Sequence, residues 1–572
     1  MKIAPLTPSI ISLKMNRMLN TMKFELPNAL RAVLDAEALR WSETDKTARI
    51  WQRDASVWTD DDEGKWLGWL AVVDKETAAS GRYATLSRDI ADAGFTDVLL
   101  MGMGGSSLCP EVLAKTFGKK HFHILDSTVP AQVRAVAEKI SIEKTLFVVA
   151  SKSGSTLEPN CFFQYFFDLV SRRNDNPGKQ FVAITDPGSK MERIARDNKF
   201  RHIFHGKPDI GGRFSALSAF GLTAAAAMGL DVDELLASAD VMIKACRSEK
   251  VEENRGVQLG LLLGVCHAAG RDKLTIVASR ELTSVGAWLE QLVAESTGKS
   301  GVAIIPVDGE RVQNSGYRHD RVFVLLCIRG NSEHDEIYSS LSETGHPVIM
   351  IEMESTADLA QEFFRWEFAT AVAGSLMQVN PFNQPDVESA KIEARRITDE
   401  YERVGTLPEE TPFFSDGPLE LFSDAEFAAP SEGNLSSILR SHLDRIESGD
   451  YFALLAYVEM NAVNARLLQE VRSHVQSEYA VATCLGFGPR FLHSTGQAYK
   501  GGANNGVFLQ LTSDDAFDIA VPNQRYSFGV VKAAQARGDF QVLLDRGRRA
   551  LRVHLGPDVE AGLRDLVGLL TK

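Results

Sequence analysis

The chain has 572 residues, 44% of them hydrophobic and 24% charged, enough to bury a large core and to divide into at least two domains. A net charge of −14, with no basic patch interleaved with aromatics, argues against nucleic acid as a partner, whereas a small anion can still bind where local donors converge. The six cysteines are scattered, with no CxxC and no Cys/His metal spacing, and no apolar run is long enough to cross a bilayer. Together these features point to reduced core thiols in a cytoplasmic protein and argue against a membrane partner.

In chain order, residues 1–22 carry Lys2, Lys14 and Arg17 around a weak apolar run broken by Pro5 and Pro8. This reads as a leader or an upstream start, not a secretion signal. Residues 23–93 are expected to be helical, with Leu26, Leu30, Val33, Leu34 and Leu39, then Trp66, Leu67 and Leu70, at helical spacing. Strand and helix signals alternate over 94–250, with predicted strands at Val98–Met101, His121–Asp126, Leu146–Ala150 and Phe181–Asp186. A second α/β unit over 251–400 has strands at Leu274–Ala278, Val322–Leu326 and Val348–Ile351 and a closing helix over 356–377. The similarity of the two units suggests a duplication, without a strong residue-level repeat. Residues 401–447, rich in Pro, Glu, Asp and Ser, read as a linker or crossing segment. Residues 448–572 form a C-terminal α/β region with strands at Tyr451–Val458, Ala480–Gly486 and Val507–Leu511 and helices near 461–474, 541–554 and 558–571. The fold class is therefore α/β, with doubly wound, mainly parallel sheets.

Ligands of such sheets sit beyond the strand carboxyl ends. Two loops there are rich in Gly and Ser: Gly102–Ser107 and Ser151–Thr156. The second runs Ser151-Lys152-Ser153-Gly154-Ser155-Thr156 into a helix start with Pro159 in its first turn, and it reads as a phosphate cradle. Free backbone amides and the positive end of the helix dipole favour an anion, hydroxyls add donors, and Gly permits close approach. It has neither the GxxxxGK[ST] nor the GxGxxG spacing, so a nucleotide is not its obvious ligand. If the two loops converge, Ser106 joins the cradle.

Four further segments carry chemistry. Gly211-Gly212-Arg213-Phe214-Ser215 combines close backbone approach with a fixed fork of donors for an oxyanion; alone it reads sooner as a tight turn with a surface Arg. Glu290–Lys299 places Glu295 in the last turn of a helix ending at Gly298, where the dipole is expected to raise its pKa, as suits a proton carrier. Asn380–Lys391 puts Gln384 at a helix start and Lys391 two turns further along roughly the same side. His493-Ser494-Thr495-Gly496-Gln497 is a polar loop between two strands; its lone His is by itself more often structural.

Taken together, these segments resemble glucose-6-phosphate isomerases. Gly102–Leu108, Ser151–Glu158, Gly211–Ser215, Glu295–Lys299 and Asn380–Lys391 match that family's motifs in order. The resemblance implies two sugar-isomerase (SIS) domains and aldose–ketose isomerisation of glucose 6-phosphate and fructose 6-phosphate, in glycolysis and gluconeogenesis, needing no cofactor and no metal. It implies phosphate binding by Ser106, Ser151, Lys152, Ser153 and Thr156, enediolate stabilisation by Arg213 and proton transfer between C2 and C1 by Glu295. Ring opening would be assisted by Lys391, and Gly105, Gly212 and Gln384 would line the site. It also implies a homodimer with shared sites.

The family's histidine, contributed by the partner subunit between the Glu and Gln/Lys motifs, has no match here. Instead residues 392–572 follow Lys391. They resemble the end of bacterial bifunctional transaldolase/glucose-6-phosphate isomerases, so this chain looks like the isomerase half alone, with a functional link to a transaldolase implied. His493 is the candidate for the ring-opening acid/base and His319 a weaker one. Two other readings stand beside this one: a dual phosphoglucose/phosphomannose isomerase, and a non-catalytic sugar-phosphate sensor. A sensor could lose Glu295 and Lys391, both of which are present.

Overall fold

In a computed structural model, residues 17–313, 316–428 and 433–570 are described, and they form three α/β units. In the first, strands Asp97–Gly102, Phe122–Leu125, Thr145–Ala150, Phe181–Thr185 and His202–His205 make a five-stranded sheet of all-parallel pairs. Its order reverses between Asp97–Gly102 and Thr145–Ala150, so the two Gly/Ser loops leave adjacent strands at the reversal. Thr145–Ala150 is buried throughout because helices cover both faces of the sheet.

The second sheet runs, in spatial order, Thr21–Glu25, Val348–Met353, Arg321–Ile328, Lys273–Ala278 and Ile305–Val307. All its pairs are parallel except that of Thr21–Glu25, which lies antiparallel along Val348–Met353 at the edge. This corrects two expectations. Residues 17–22 belong to the folded domain, and the stretch from Thr21 alternates as an edge strand before the helices start. The rest of the expected leader lies outside the described residues. The first helix, Asn28–Glu43, turns Leu30, Leu34 and Trp41 inward and leaves Val33 and Leu39 exposed. The two units share one core, in which helices Arg255–Ala268 and Leu359–Met377 pack along each other.

The third unit is larger than its composition suggested. Phe414–Asp416 and Leu419–Phe422, inside the expected linker, form a hairpin on a six-stranded sheet. Tyr451–Ala456, Ala482–Phe487, Gly506–Thr512 and Arg549–His554 are its parallel strands. The helix expected over 541–554 is two elements. Helix Phe528–Asp545 ends before Gly547 (φ +63°), and Arg549–His554 is a strand. That six-residue stretch is too short for periodicity to distinguish strand from helix, and pairing with Gly506–Thr512 decides it. Helix Phe528–Asp545 lies along helix Pro385–Val404, with Gly538 against Ala394, and so sets the third unit beside the Gln384–Lys391 segment. No helix among the described residues is long and apolar enough to cross a membrane.

Candidate active site

The two glycine turns close on each other. A Cβ on Gly105 would fall 2.0 Å from the Gly212 carbonyl oxygen, and one on Gly104 would fall 2.8 Å from the His493 carbonyl oxygen. Only glycines let the strand-end loops, the Arg213 turn and the C-terminal loop meet here.

Behind this contact lies a buried polar cluster. Arg213 is 2% exposed and every nitrogen of its guanidinium is engaged. Nη1 lies 3.1 Å from the Glu295 carboxylate and donates to Gln384 Oε1 at 3.0 Å. Nε donates to Ser296 Oγ, and Nη2 to the carbonyls of Pro381 and Asn383. Glu295 comes from the last turn of helix Val285–Thr297, whose hydrophobic face is packed in the core. One turn earlier, Gln291 Nε2 donates to the other Glu295 oxygen at 3.0 Å and to the His493 carbonyl at 2.8 Å. Burial pulls the Arg213 pKa down, and Glu295 beside it opposes that shift. Lys299 is buried at the end of the same helix and donates to Ser296 O and Asn380 O. Burial and the neighbouring Arg213 push its ammonium well below its ordinary value.

The second part of the site is a cavity of about 330 Å³ between helices Leu157–Ser171 and Pro385–Val404. Ser153, Ser155, Thr156, Lys391 and His493 line it. Gly154 has φ +69° and packs on the Met191 amide, so the loop bends as only glycine readily does. Asn160 holds the turn by donating to the carbonyls of Gly154 and Thr156. Thr156 is extended at the helix start and makes no side-chain cap; Pro159 has no N–H and the Glu158 carboxyl accepts from its own amide, so the Leu157 amide is the first-turn donor left for an anion. His493 Nε2 lies 2.8 Å from Glu158 Oε1, which also accepts from Gln535 Nε2 at 2.6 Å. Burial alone would raise the Glu158 carboxyl. His493 beside it, their hydrogen bond and the more distant Lys391 outweigh that and hold it below its ordinary value.

The C-terminal loop is anchored on both sides of His493. Arg490 is paired with Glu111 and Asp126 of the first unit. Gln497 accepts from the Asp386 and Val387 amides at 3.0 and 3.1 Å and donates to Gly298 O at 2.9 Å, clasping the start of helix Pro385–Val404 to the end of the Glu295 helix.

The structure therefore gathers Glu295, Arg213, Gln384, Gly105 and Gly212 at one cluster, and Ser153, Thr156, Lys391 and His493 around the adjoining cavity. Ser106 sits in the short turn Gly104–Ser106 beside them. Three expectations need correction. Lys152 turns away from the cradle, its ammonium donating to Asp186 and, at 2.8 Å, to Lys207 O. Ser151 is 2% exposed, its hydroxyl buried without a partner beneath the loop. His319 is exposed just before strand Arg321–Ile328, at the amino end of the sheet and away from the strand carboxyl ends where the site lies. Lys391 is half-exposed and pairs with Glu388 at 2.9 Å. Sequence reasoning missed Glu158, Gln291, Gln535 and Arg490. The spacing of Gln291 one turn before Glu295 was a usable signal, and Glu158 closes the Ser151–Glu158 motif; nothing local marks Gln535 or Arg490.

A family model described as phosphoglucose isomerase matches residues 76–315. Over that span the chain is similar to the phosphoglucose isomerase family. The probable glucose-6-phosphate isomerase of Methanococcus maripaludis is 26% identical over 340 residues, 52% of this chain and 77% of the relative. The glucose-6-phosphate isomerase of Rubrobacter xylanophilus is 29% identical over 365 residues, 54% of this chain and 83% of the relative. Among solved structures, a hypothetical protein from Thermus thermophilus superposes with a TM-score of 0.57 at 23% identity, covering 66% of this chain and 99% of that one. A glucose-6-phosphate isomerase from Chlamydia trachomatis gives 0.50 at 23% identity over 62% of this chain and 78% of that one. The phosphoglucose isomerase match contains the Gly105, Ser151–Thr156, Arg213 and Glu295 segments. Gln384, Lys391 and His493 lie beyond it in sequence and are brought to it by the fold.

A larger cavity, about 1050 Å³, opens at the carboxyl ends of the third sheet. Its lysine and arginines are held by carboxylates: Arg537 and Arg552 both hold Glu410, and Lys532 holds Asp515. The open donors belong to the smaller cavity.

Proposed function

We propose that this protein is a glucose-6-phosphate isomerase, interconverting glucose 6-phosphate and fructose 6-phosphate through an enediol(ate). The observation that carries the reading is the Glu295 carboxylate held 3.1 Å from Arg213, next to a cavity walled by an uncapped helix start and seryl and threonyl hydroxyls. A proton α to a carbonyl is weakly acidic, so its removal needs a positioned base acting together with donors to the developing enediolate oxygen. Glu295 is the base and Arg213 the fixed positive charge, kept in place by Gln384, Ser296 and two carbonyls. The Ser153–Thr156 loop holds the phosphate, and this remote binding energy positions C1 and C2. His493, oriented by Glu158, opens the sugar ring with Lys391 nearby.

His493 reaches the cavity within one chain, so a homodimer, where formed, need not supply this histidine. The six cysteines are free and buried, as suits a reducing cytoplasm. The test is a coupled assay of glucose 6-phosphate formed from fructose 6-phosphate, comparing the wild type with Glu295→Gln in chelator-treated buffer. Turnover that the variant loses while still binding the phosphosugar supports the reading. A wild type that binds phosphosugar and does not turn over replaces it with a sensor.

A further inference from the structure

The phosphate loop lacks a free cation of its own. A sugar phosphate carries nearly two negative charges at neutral pH, and phosphate sites commonly meet such charge with a guanidinium or ammonium. Lys152, the only basic residue of the loop, is neutralised by Asp186 and turned toward the Lys207 carbonyl. Lys391 is engaged by Glu388, and His493 by Glu158.

One cation of the cavity is left. Arg395 lies one turn beyond Lys391 on helix Pro385–Val404 and lines the same cavity as Ser153, Ser155 and Thr156. It is exposed and makes no ion pair or hydrogen bond among the described residues. Its neighbours on the wall, Asp399 and Glu402, carry the opposite charge, yet neither comes within ion-pair distance of it. Those carboxylates would repel a phosphate from their own part of the cavity wall.

We propose that Arg395 is the phosphate clamp of this site: its guanidinium closes onto the phosphate of the bound sugar from helix Pro385–Val404 while the Ser153–Thr156 loop holds the other side. The inference rests on the sugar-phosphate reading above and names the group that neutralises that phosphate. The planar fork suits two phosphate oxygens at once, which an ammonium cannot match, and an unpaired arginine has no protein partner to give up on closing.

The test compares wild type, Arg395→Ala and Arg395→Lys in the coupled assay and in calorimetric titration with inorganic phosphate. Arg395→Ala is expected to raise KM for fructose 6-phosphate and to weaken inorganic phosphate binding together, by about 10- to 100-fold, with kcat within about twofold; the Lys variant should recover part of both. The side chain is exposed and unpaired, so an unchanged melting curve is expected and will separate binding from folding. In an active wild type, unchanged KM and phosphate affinity in the Ala variant overturn the clamp and leave the isomerase reading intact. A fall in kcat at constant KM also overturns it, because it places Arg395 at the reacting atoms. A wild type that binds phosphate without turnover, with binding lost in the Ala variant, keeps the clamp and removes the isomerase. A wild type that binds no phosphate removes both.

Discussion

His493 Nε2 and Glu158 Oε1 lie 2.8 Å apart although 335 positions separate them in the chain. The histidine is delivered by the C-terminal unit and the carboxylate by the first turn of the helix that follows the phosphate loop, so one polypeptide completes the cavity. Mixing Glu295→Gln and His493→Ala chains should therefore restore no activity. A site shared between subunits would regain a quarter or so of wild-type turnover at equal mixing by simple pairing statistics of a dimer. Turnover of the mixture, after co-refolding or co-expression, measures this directly.

Glu158 also gives the fold a pH dependence with a definite sign. Its folded-state pKa is held below the ordinary 4.5 of a glutamate, so the stability it contributes is present above that value and is lost as pH falls through the folded value. Thermal melts from pH 6 downward should show an acid-side loss in Tm that Glu158→Gln reduces. The same variant should lower kcat at neutral pH by leaving the His493 ring without its carboxylate partner.

The glycine contact should tolerate nothing larger. A methyl group at position 105 would overlap the Gly212 carbonyl at 2.0 Å, backbone against backbone, so Gly105→Ala must push the Arg213 turn away from the strand-end loop. Loss of kcat by about 100-fold or more is expected, since misplacement of about 1 Å at a reacting centre has that effect, with a lower Tm. Coupled kinetics and calorimetry check it.

Gln497 bonds to two helix-start amides and one helix-end carbonyl, all at 3.1 Å or less. Replacing it by Ala removes a cap and leaves buried polar groups without partners, which costs about 1–3 kcal/mol. Because the clasp joins the Gln384 helix to the Glu295 helix, Gln497→Ala should lower both Tm and kcat. Gln497→Glu should restore less than the wild type, because it can accept from the amides but cannot donate to Gly298 O while ionised.

Much of this molecule was readable before its structure. Leu146–Ala150 announces a doubly covered strand by being apolar throughout, and Ser151–Thr156 announces a strand-end turn into a helix by its hydroxyls, its glycine and the helix that follows. Strand-end loops at a sheet reversal leave adjacent strands for topological reasons, and they do so here. These features depend on neighbours within a few residues or on rules of connection, both of which a sequence displays. Arg549–His554 was not readable in that way, since six residues fit helix or strand until a partner strand is supplied. Nor was Thr21–Glu25, whose alternation gains meaning only along Val348–Met353.

The sequence alone determined the chemistry on offer: a carboxylate at Glu295, a guanidinium at Arg213, a hydroxyl-rich loop and a histidine in a glycine-containing turn. The tertiary structure alone decided which of these groups are free to act. It committed Lys152 to Asp186, buried Ser151, paired His493 with Glu158 and left Arg395 without an ion pair among the described residues. The choice of partner for a charged side chain follows from which distant segments are packed against it and how far they exclude water, and neither is encoded within a turn or a strand of the residue itself.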